Sequence, residues 1–305
     1  MRKRTTVAAI TGALALSALA VPASAVGAPK PAASVAGAVS LAHGADSGKA
    51  AFSAAVAGTP YNLDASFSKV KVTYNKGKNI AVGTTNVVKV PVSFTLTHGA
   101  DVDIHAKDFY ALAELYRGNS FADSYPWFDS AKAKCTDSSA TVATCTTSVS
   151  VNPLELLNTD AGAWKAAVFA VAYNGEDPEE GNLDKVGIAV KDKVAAFNLQ
   201  RLSKLTVDAS PEPVKKGKTI TVTGKLSRAN WETGTYAGYT VQPVKLQFRK
   251  KSATTYTTVK TIKSNSTGNL KTTTKATVDG YFRYSFAGTS TTPAINATGD
   301  YVDVK

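Results

Sequence analysis

Three histidines, two cysteines and one methionine are all that 305 residues offer in imidazole and sulfur chemistry. His43, His98 and His105 are thus the whole stock of imidazole bases for a Ser-His-Asp arrangement, and no G-x-S-x-G elbow accompanies them. The cysteines, Cys135 and Cys145, are spaced neither as C-x-x-C nor as a zinc pattern, which argues against a redox or metal role for the pair. Paired carboxylates for glycoside hydrolysis need only meet in space, yet nothing singles out such a pair. No second apolar run of about 18 residues follows the first 25, so no membrane-spanning helix is expected. With no constellation that amounts to a catalytic site, the chain reads as non-enzymatic.

What is present begins with a leader. Arg2-Lys3-Arg4, an apolar run from Val7 to Val21 and Pro22-Ala-Ser-Ala25 have the order of a signal peptide with an A-x-A cleavage site. No Cys lies near the site, so a freely secreted chain beginning near Val26 is predicted. Residues 26–59 are rich in Ala, Gly and Ser and poor in large apolar side chains, which predicts a flexible arm. Beyond it, 305 residues leave room for two β-domains, at 60–200 and 201–305.

Charge divides the same way. Residues 201–305 hold 17 Lys/Arg against 6 Asp/Glu, a net +11, whereas 26–200 hold 15 against 17, a net −2. The formal charge of +12 therefore sits mainly in the C-terminal part. Such a surface favours anionic polymer. A cell-wall polymer or glycan is the expected partner and nucleic acid is not; plain solubility is the competing explanation of the excess.

Between Tyr61 and Leu199 alternation of apolar and polar residues predicts strands, cleanest at Val88, Val90, Val92, Phe94 and Leu96. Phe109 to Arg117 also fits helical spacing, but its neighbours make it a strand. Ser68-Lys-Val-Lys-Val72 before Lys76-Gly-Lys is echoed by Ser203-Lys-Leu-Thr-Val207 before Lys216-Gly-Lys, which suggests two related domains. Cys135 and Cys145 flank a Ser/Thr-rich turn and are predicted to pair across a hairpin. Asp160-Ala-Gly-Ala-Trp164, followed by Ala166, Val168, Ala170 and Ala172, resembles the Asp-x-Gly-x-Tyr string that leads into strand F of immunoglobulin-like domains. Trp164 stands at the corner tyrosine. It carries a donor and no hydroxyl, so the usual corner bond does not transfer unchanged, and no Cys follows to make the intersheet disulfide.

From Leu202 onward strand character appears near 202–208, 219–227, 243–250, 256–263, 268–276, 281–287 and 300–304. Ile220, Val222 and Leu226, then Val244, Leu246 and Phe248, then Phe282, Tyr284 and Phe286 each share one face. Gly224-Lys-Leu, Gly238-Tyr-Thr-Val-Gln-Pro-Val-Lys-Leu-Gln-Phe, Gly280-Tyr-Phe-Arg-Tyr-Ser-Phe-Ala-Gly and Gly299-Asp-Tyr-Val together resemble the bacterial Ig-like domains of secreted and surface proteins in Gram-positive, actinomycete-type bacteria. The resemblance covers the last third of the chain. It implies a structural or adhesive module without catalytic residues, and an all-β fold of two tandem immunoglobulin-like sandwiches.

Four groups of residues are candidates for function. Lys215, Lys216 and Lys218 in one turn, with Arg249, Lys250 and Lys251 at a strand end, would hold an anionic wall polymer if exposed. Trp231, Tyr236 and Tyr239 lie in a Gly-punctuated loop and would either stack on sugar rings or plug the end of the sandwich. Asp177, Glu179, Glu180 and Asp184 supply hard oxygens that suit calcium as a cofactor, in a loop whose commoner reading is a solvated acidic turn. Asp101, Asp103 and His105 would share one face of a strand and could present a metal, or belong to a polar turn.

Overall fold

The computed structural model describes residues 35–47, 58–74, 79–177 and 181–305. The expected leader lies outside the described residues. After a helix, α1 (Val35–Ser47), the first domain contains β1 (Tyr61–Asn62), β2 (Ala65–Val72), β3 (Asn79–Val82), β4 (Val88–His98), β5 (Phe109–Tyr116), β6 (Trp127–Asp129), β7 (Lys134–Ser139), β8 (Val142–Val151), β9 (Gly162–Ala172) and β10 (Gly187–Arg201). One sheet runs β2-β4-β8-β7. The other runs β1-β10-β9-β5-β6, with β3 paired in parallel to the C-terminal half of β10.

Alternation decides where these strands go. Along β5, Phe109, Ala111, Ala113 and Leu115 face the sandwich core, together with Phe67, Val92, Phe94 and Leu96 of the opposite sheet. The intervening Tyr110, Leu112 and Tyr116 point the other way. β9 does the same, Trp164, Ala166, Val168 and Ala170 inward and Ala167, Phe169 and Val171 outward. Both faces of this sheet are therefore apolar, and water cannot cover the outer one without a hydrophobic penalty. Helix α1 covers it, burying Ala38, Val39, Leu41 and Ala42. This corrects the expected flexible arm over 35–47: four small or aliphatic side chains suffice because the sheet supplies the large ones.

The predicted disulfide is present. Cys135 on β7 and Cys145 on β8 stand directly opposite in register and are bonded, Cα–Cα 4.0 Å. At the start of β9, Gly162 adopts φ +136°, a conformation that L side chains rarely take, which accounts for glycine in the Asp-Ala-Gly-Ala-Trp string. Trp164 Nε1 donates to the backbone carbonyl of Asp160 at 2.7 Å. The corner is closed by the one donor that tryptophan has, and β9 lies between β5 and β10 as strand F does between C and G.

The second domain contains β11 (Ser203–Leu205), β12 (Asp208–Ser210), β13 (Thr219–Asn230), β14 (Thr235–Gly238), β15 (Pro243–Lys250), β16 (Thr257–Lys263), β17 (Asn269–Lys275), β18 (Gly280–Phe286), β19 (Ile295–Asn296) and β20 (Asp300–Val302). β13 pairs with β11, β12, β14 and β17 in one layer; the other is β16-β15-β18 with β19 and β20 along β18. Ile220, Val222, Leu226, Val244, Leu246, Phe282, Tyr284 and Phe286 fill the space between. All seven predicted strand segments form. Among the described residues the protein is all-β but for α1 and short single turns, two immunoglobulin-like sandwiches in tandem.

Candidate functional site

The two lysine-rich turns of the second domain meet. The backbone N–H of Lys216 donates to the carbonyl of Lys305 at 2.8 Å, and that of Lys251 to the carbonyl of Asp279 at 3.0 Å. These bonds bring the turn before β13 and the turn after β15 to one pole. Lys216, Lys250, Lys251 and Lys305 line a shared cavity of about 550 Å³ with Ser252, Thr277, Val278, Asp279 and Val304. Lys215 and Lys218 are exposed in the same turn as Lys216. Asp279 is the acidic member, and its carboxylate is committed locally. It accepts from Val304 N at 2.9 Å and from the Tyr301 hydroxyl at 3.1 Å. The Val304 bond first, and then Tyr301 and Lys251, hold its pKa below the ordinary carboxylate value. Among the described residues the salt bridges all lie in the first domain; at this pole Asp279 acts on Lys251 through space, and the cavity is lined by four lysines against that one aspartate.

The aromatic loop has a different fate. Trp231 is 1% exposed and belongs to the core of the first domain, not to a surface that could stack a sugar. Its Nε1 donates to Gly83 O at 2.9 Å, and its backbone N–H donates to Asn158 Oδ1 at 3.1 Å. Asn158 in turn donates to Asn230 Oδ1 at 2.9 Å. The tip of β13 is thus a plug joining the two domains. Arg201 locks the same joint, Nε donating to Ala229 O at 2.6 Å, with burial and then Arg228 pushing its guanidinium down to about 10. Tyr236 and Tyr239 are half-buried on the flank, where Lys204 lies over the first ring at 3.8 Å and Arg228 over the second at 3.9 Å. Sequence periodicity missed the joint because a buried interdomain tryptophan and an exposed ligand-binding one look alike between glycines.

The acidic loop is partly outside the described residues, which exclude Glu179 and Glu180. Asp177 is buried at 3% exposure, and Asp184 Oδ1 accepts from Thr59 N at 2.8 Å. Glu176 pairs with Lys185 at 2.9 Å. No group of three His, Cys, Asp or Glu side chains among the described residues is placed to hold a metal. The 99–108 segment forms turns, not the strand that would align Asp101, Asp103 and His105. His105 Nε2 contacts Asp137 at 2.9 Å, and Asp108, which lines one cavity with Asp101 and Asp103, accepts from Gly175 N at 2.7 Å.

One cluster has no sequence signal at all. Glu114 on β5 is 0% exposed beneath α1, and its Oε2 lies 2.7 Å from His43 Nε2. Ser124 Oγ donates to its other oxygen at 3.3 Å, and Asp129, directly across the β5–β6 ladder, bonds to it as well. Burial and then the Asp129 charge push the Glu114 carboxyl up to about 10, while burial lowers His43 to about 4. The other nitrogen of His43 bonds to the Phe121 backbone, which leaves Nε2 to accept the Glu114 proton. The imidazole stacks on Phe121 at 4.1 Å. Both groups are neutral, and they pin α1 to the sheet.

No family profile matches the chain, and no curated protein does. Among solved structures it is similar to three N-terminal domains of the highly immunogenic outer capsid protein of bacteriophage RB49, at 9% identity and TM-score 0.30, over 79% of this chain and 70% of that one. It is similar to titin domains I67–I69 at 10% identity and TM-score 0.28, over 77% of this chain and 65% of that one. The Yersinia pseudotuberculosis adhesin InvE matches at 14% identity and TM-score 0.23, over 79% and 60%. None of these carries a residue role to this chain. No described helix is long and apolar enough to cross a membrane.

Proposed function

We propose that the protein works outside the cell as a non-enzymatic structural and binding protein of the envelope, with the basic pole of its second domain against an anionic wall polymer. The observation that supports this reading is the convergence of Lys216, Lys250, Lys251 and Lys305 on one cavity whose acidic lining residue is Asp279 alone. Four lysines around one cavity make a local excess of positive charge, and such a field attracts a polyanion. The buried joint built on Trp231 and Arg201 suits the structural part, since it ties the second domain directly to the first.

The test is retention of the secreted chain on isolated cell walls across a salt series. Exposed charges act through a field screened over about 8 Å at physiological ionic strength, so retention should fall steeply with salt. Replacing Lys216, Lys250 and Lys251 by Gln together should abolish it, and unchanged retention by that variant would refute the reading.

A further inference from the structure

The outward face of the β16-β15-β18-β20 layer carries a second arrangement of cations, and this one is built on rings. Inward residues of β15 and β18 fill the core, so Gln247 and Arg249 on β15 and Tyr281 and Arg283 on β18 point out. The register sets Arg249 opposite Tyr281 and Gln247 opposite Arg283, and Tyr301 of β20 continues the row beyond Tyr281. Arg249 lies over the Tyr281 ring at 3.9 Å, Arg283 over the Tyr256 ring at 3.8 Å, and Tyr281 meets Tyr301 at 5.1 Å between centroids. Gly299 makes room for this. A Cβ there would stand 2.2 Å from the Tyr256 hydroxyl, so the glycine lets Tyr256 lie across the face.

The two guanidinium groups come from diagonal positions of one ladder and share the Tyr256 ring, Arg283 at 3.8 Å and Arg249 at 5.3 Å from its centroid, so their charges oppose each other. No carboxylate pairs with either among the described residues. Each is instead fixed by neutral contacts: Arg283 Nε donates to Gln247 Oε1 at 2.9 Å and an Arg249 terminal nitrogen donates to Ala253 O at 2.8 Å. Stacking holds the guanidinium plane flat and keeps most of its in-plane N–H groups for a planar anion.

We propose that this face binds an acidic polysaccharide, with Arg249 and Arg283 pairing its carboxylates and the phenol rims of Tyr256 and Tyr281 meeting its hydroxyls and C–H edges. The inference rests on the envelope-polymer reading above and names the ligand class of that domain. Charge complementarity selects an anion, and the stacked rings select among anions. Because a guanidinium already covers one face of Tyr256 and of Tyr281, a nucleobase finds those faces taken. What remains on offer is hydrogen-bond donors in fixed planes, which match carboxylate and phosphate oxygens, and phenol rims that add contacts to the hydroxyls of a sugar.

The experiment is calorimetric titration of the secreted chain with a hyaluronate octasaccharide at physiological salt, beside polyphosphate of equal charge, neutral dextran and oligothymidylate. Hyaluronate should bind at least tenfold more tightly than polyphosphate, and the Arg249→Gln/Arg283→Gln variant should lose at least tenfold for hyaluronate. Tyr256→Leu should lose about fivefold while keeping a wild-type melting curve. Lys271→Gln, exposed on β17 in the opposite layer, should change hyaluronate binding by less than threefold. Equal affinity for hyaluronate in the double arginine variant would overturn the proposal, as would tighter binding of polyphosphate or oligothymidylate. If cell walls are still retained through the pole lysines in that case, only the present inference fails; if the wild type binds neither walls nor hyaluronate, both readings fail together.

Discussion

Stability of the first domain should fall as pH rises from 7 to 9, and Glu114→Gln should remove most of that fall. Glu114 has its folded pKa raised from 4.5 to about 10, so the stability it carries is fully present below 4.5 and is lost as pH rises toward 10. His43 has its folded pKa lowered from 6.5 to about 4, so its contribution is present above 6.5 and is lost as pH falls toward 4. Between 4.5 and 6.5 the folded pair holds one proton on Glu114 and the unfolded pair holds one on His43. Proton counts match there, and the pair leaves stability flat. Above 6.5 the unfolded chain has shed both protons while the folded one keeps that of Glu114.

One extra proton in the folded state gives a slope of about −1.4 kcal/mol per pH unit, or about 3 kcal/mol between pH 7 and 9. Against a domain stability on the order of 5–15 kcal/mol this is readily measured. Burial also shifts the Asp129 carboxyl upward. Gln is the informative replacement because its amide donates to His43 Nε2 and its carbonyl accepts from Ser124, so geometry is kept and the ionisable proton is removed. The assay is urea unfolding followed by tryptophan fluorescence at pH 7, 8 and 9 for both proteins. Parallel slopes for the wild type and Glu114→Gln would show that Glu114 is not the group responsible.

Trp231→Ala should cost about 3–5 kcal/mol, since it empties a fully buried site and removes the bond to Gly83, and limited proteolysis should then cut between the domains where the wild type resists. Reducing or replacing the Cys135–Cys145 pair, separated by 10 residues, should cost about 3 kcal/mol in the loop-entropy picture, read as a lower urea midpoint. Trp164→Phe keeps a ring in the core but leaves the Asp160 carbonyl without its donor; a loss of about 1 kcal/mol is expected in the same assay, and no loss would mean that the corner bond is dispensable.

Where a residue's role follows from alternation alone, the sequence showed it. Strands β13, β15 and β18 of the second domain are of that kind: one face meets the core and the other meets water, so period two is written in them. The Trp164 corner was also legible, because Gly162 must take a positive φ and the indole follows it at a fixed offset. The joining role of Trp231 was not. It depends on Gly83 and Asn158, which are distant in sequence, and a loop gives no period from which such contacts can be read. The convergence of Lys216 with Lys250 and Lys251 was open for a similar reason, since it is decided by which strand ends share a pole of the sandwich.

The misreading of residues 35–47 has a more general cause. A helix is visible in a sequence when it brings its own large apolar stripe, and α1 brings Ala38, Val39, Leu41 and Ala42. The apolar area that holds it belongs to its partner: Leu112, Tyr116, Phe121, Phe169 and Tyr173 on or beside the outer face of the β5–β9 sheet. That excess was in the sequence as a strand apolar on both faces, the same pattern that made 109–117 fit helical spacing. A sheet so built, with a carboxyl at position 114 among its outward apolar residues, requires a cover that is small, apolar and able to take a proton in hydrogen bond. The helix that carries His43 meets each of these requirements, so the local features of α1 and of β5 make physical sense only as a pair.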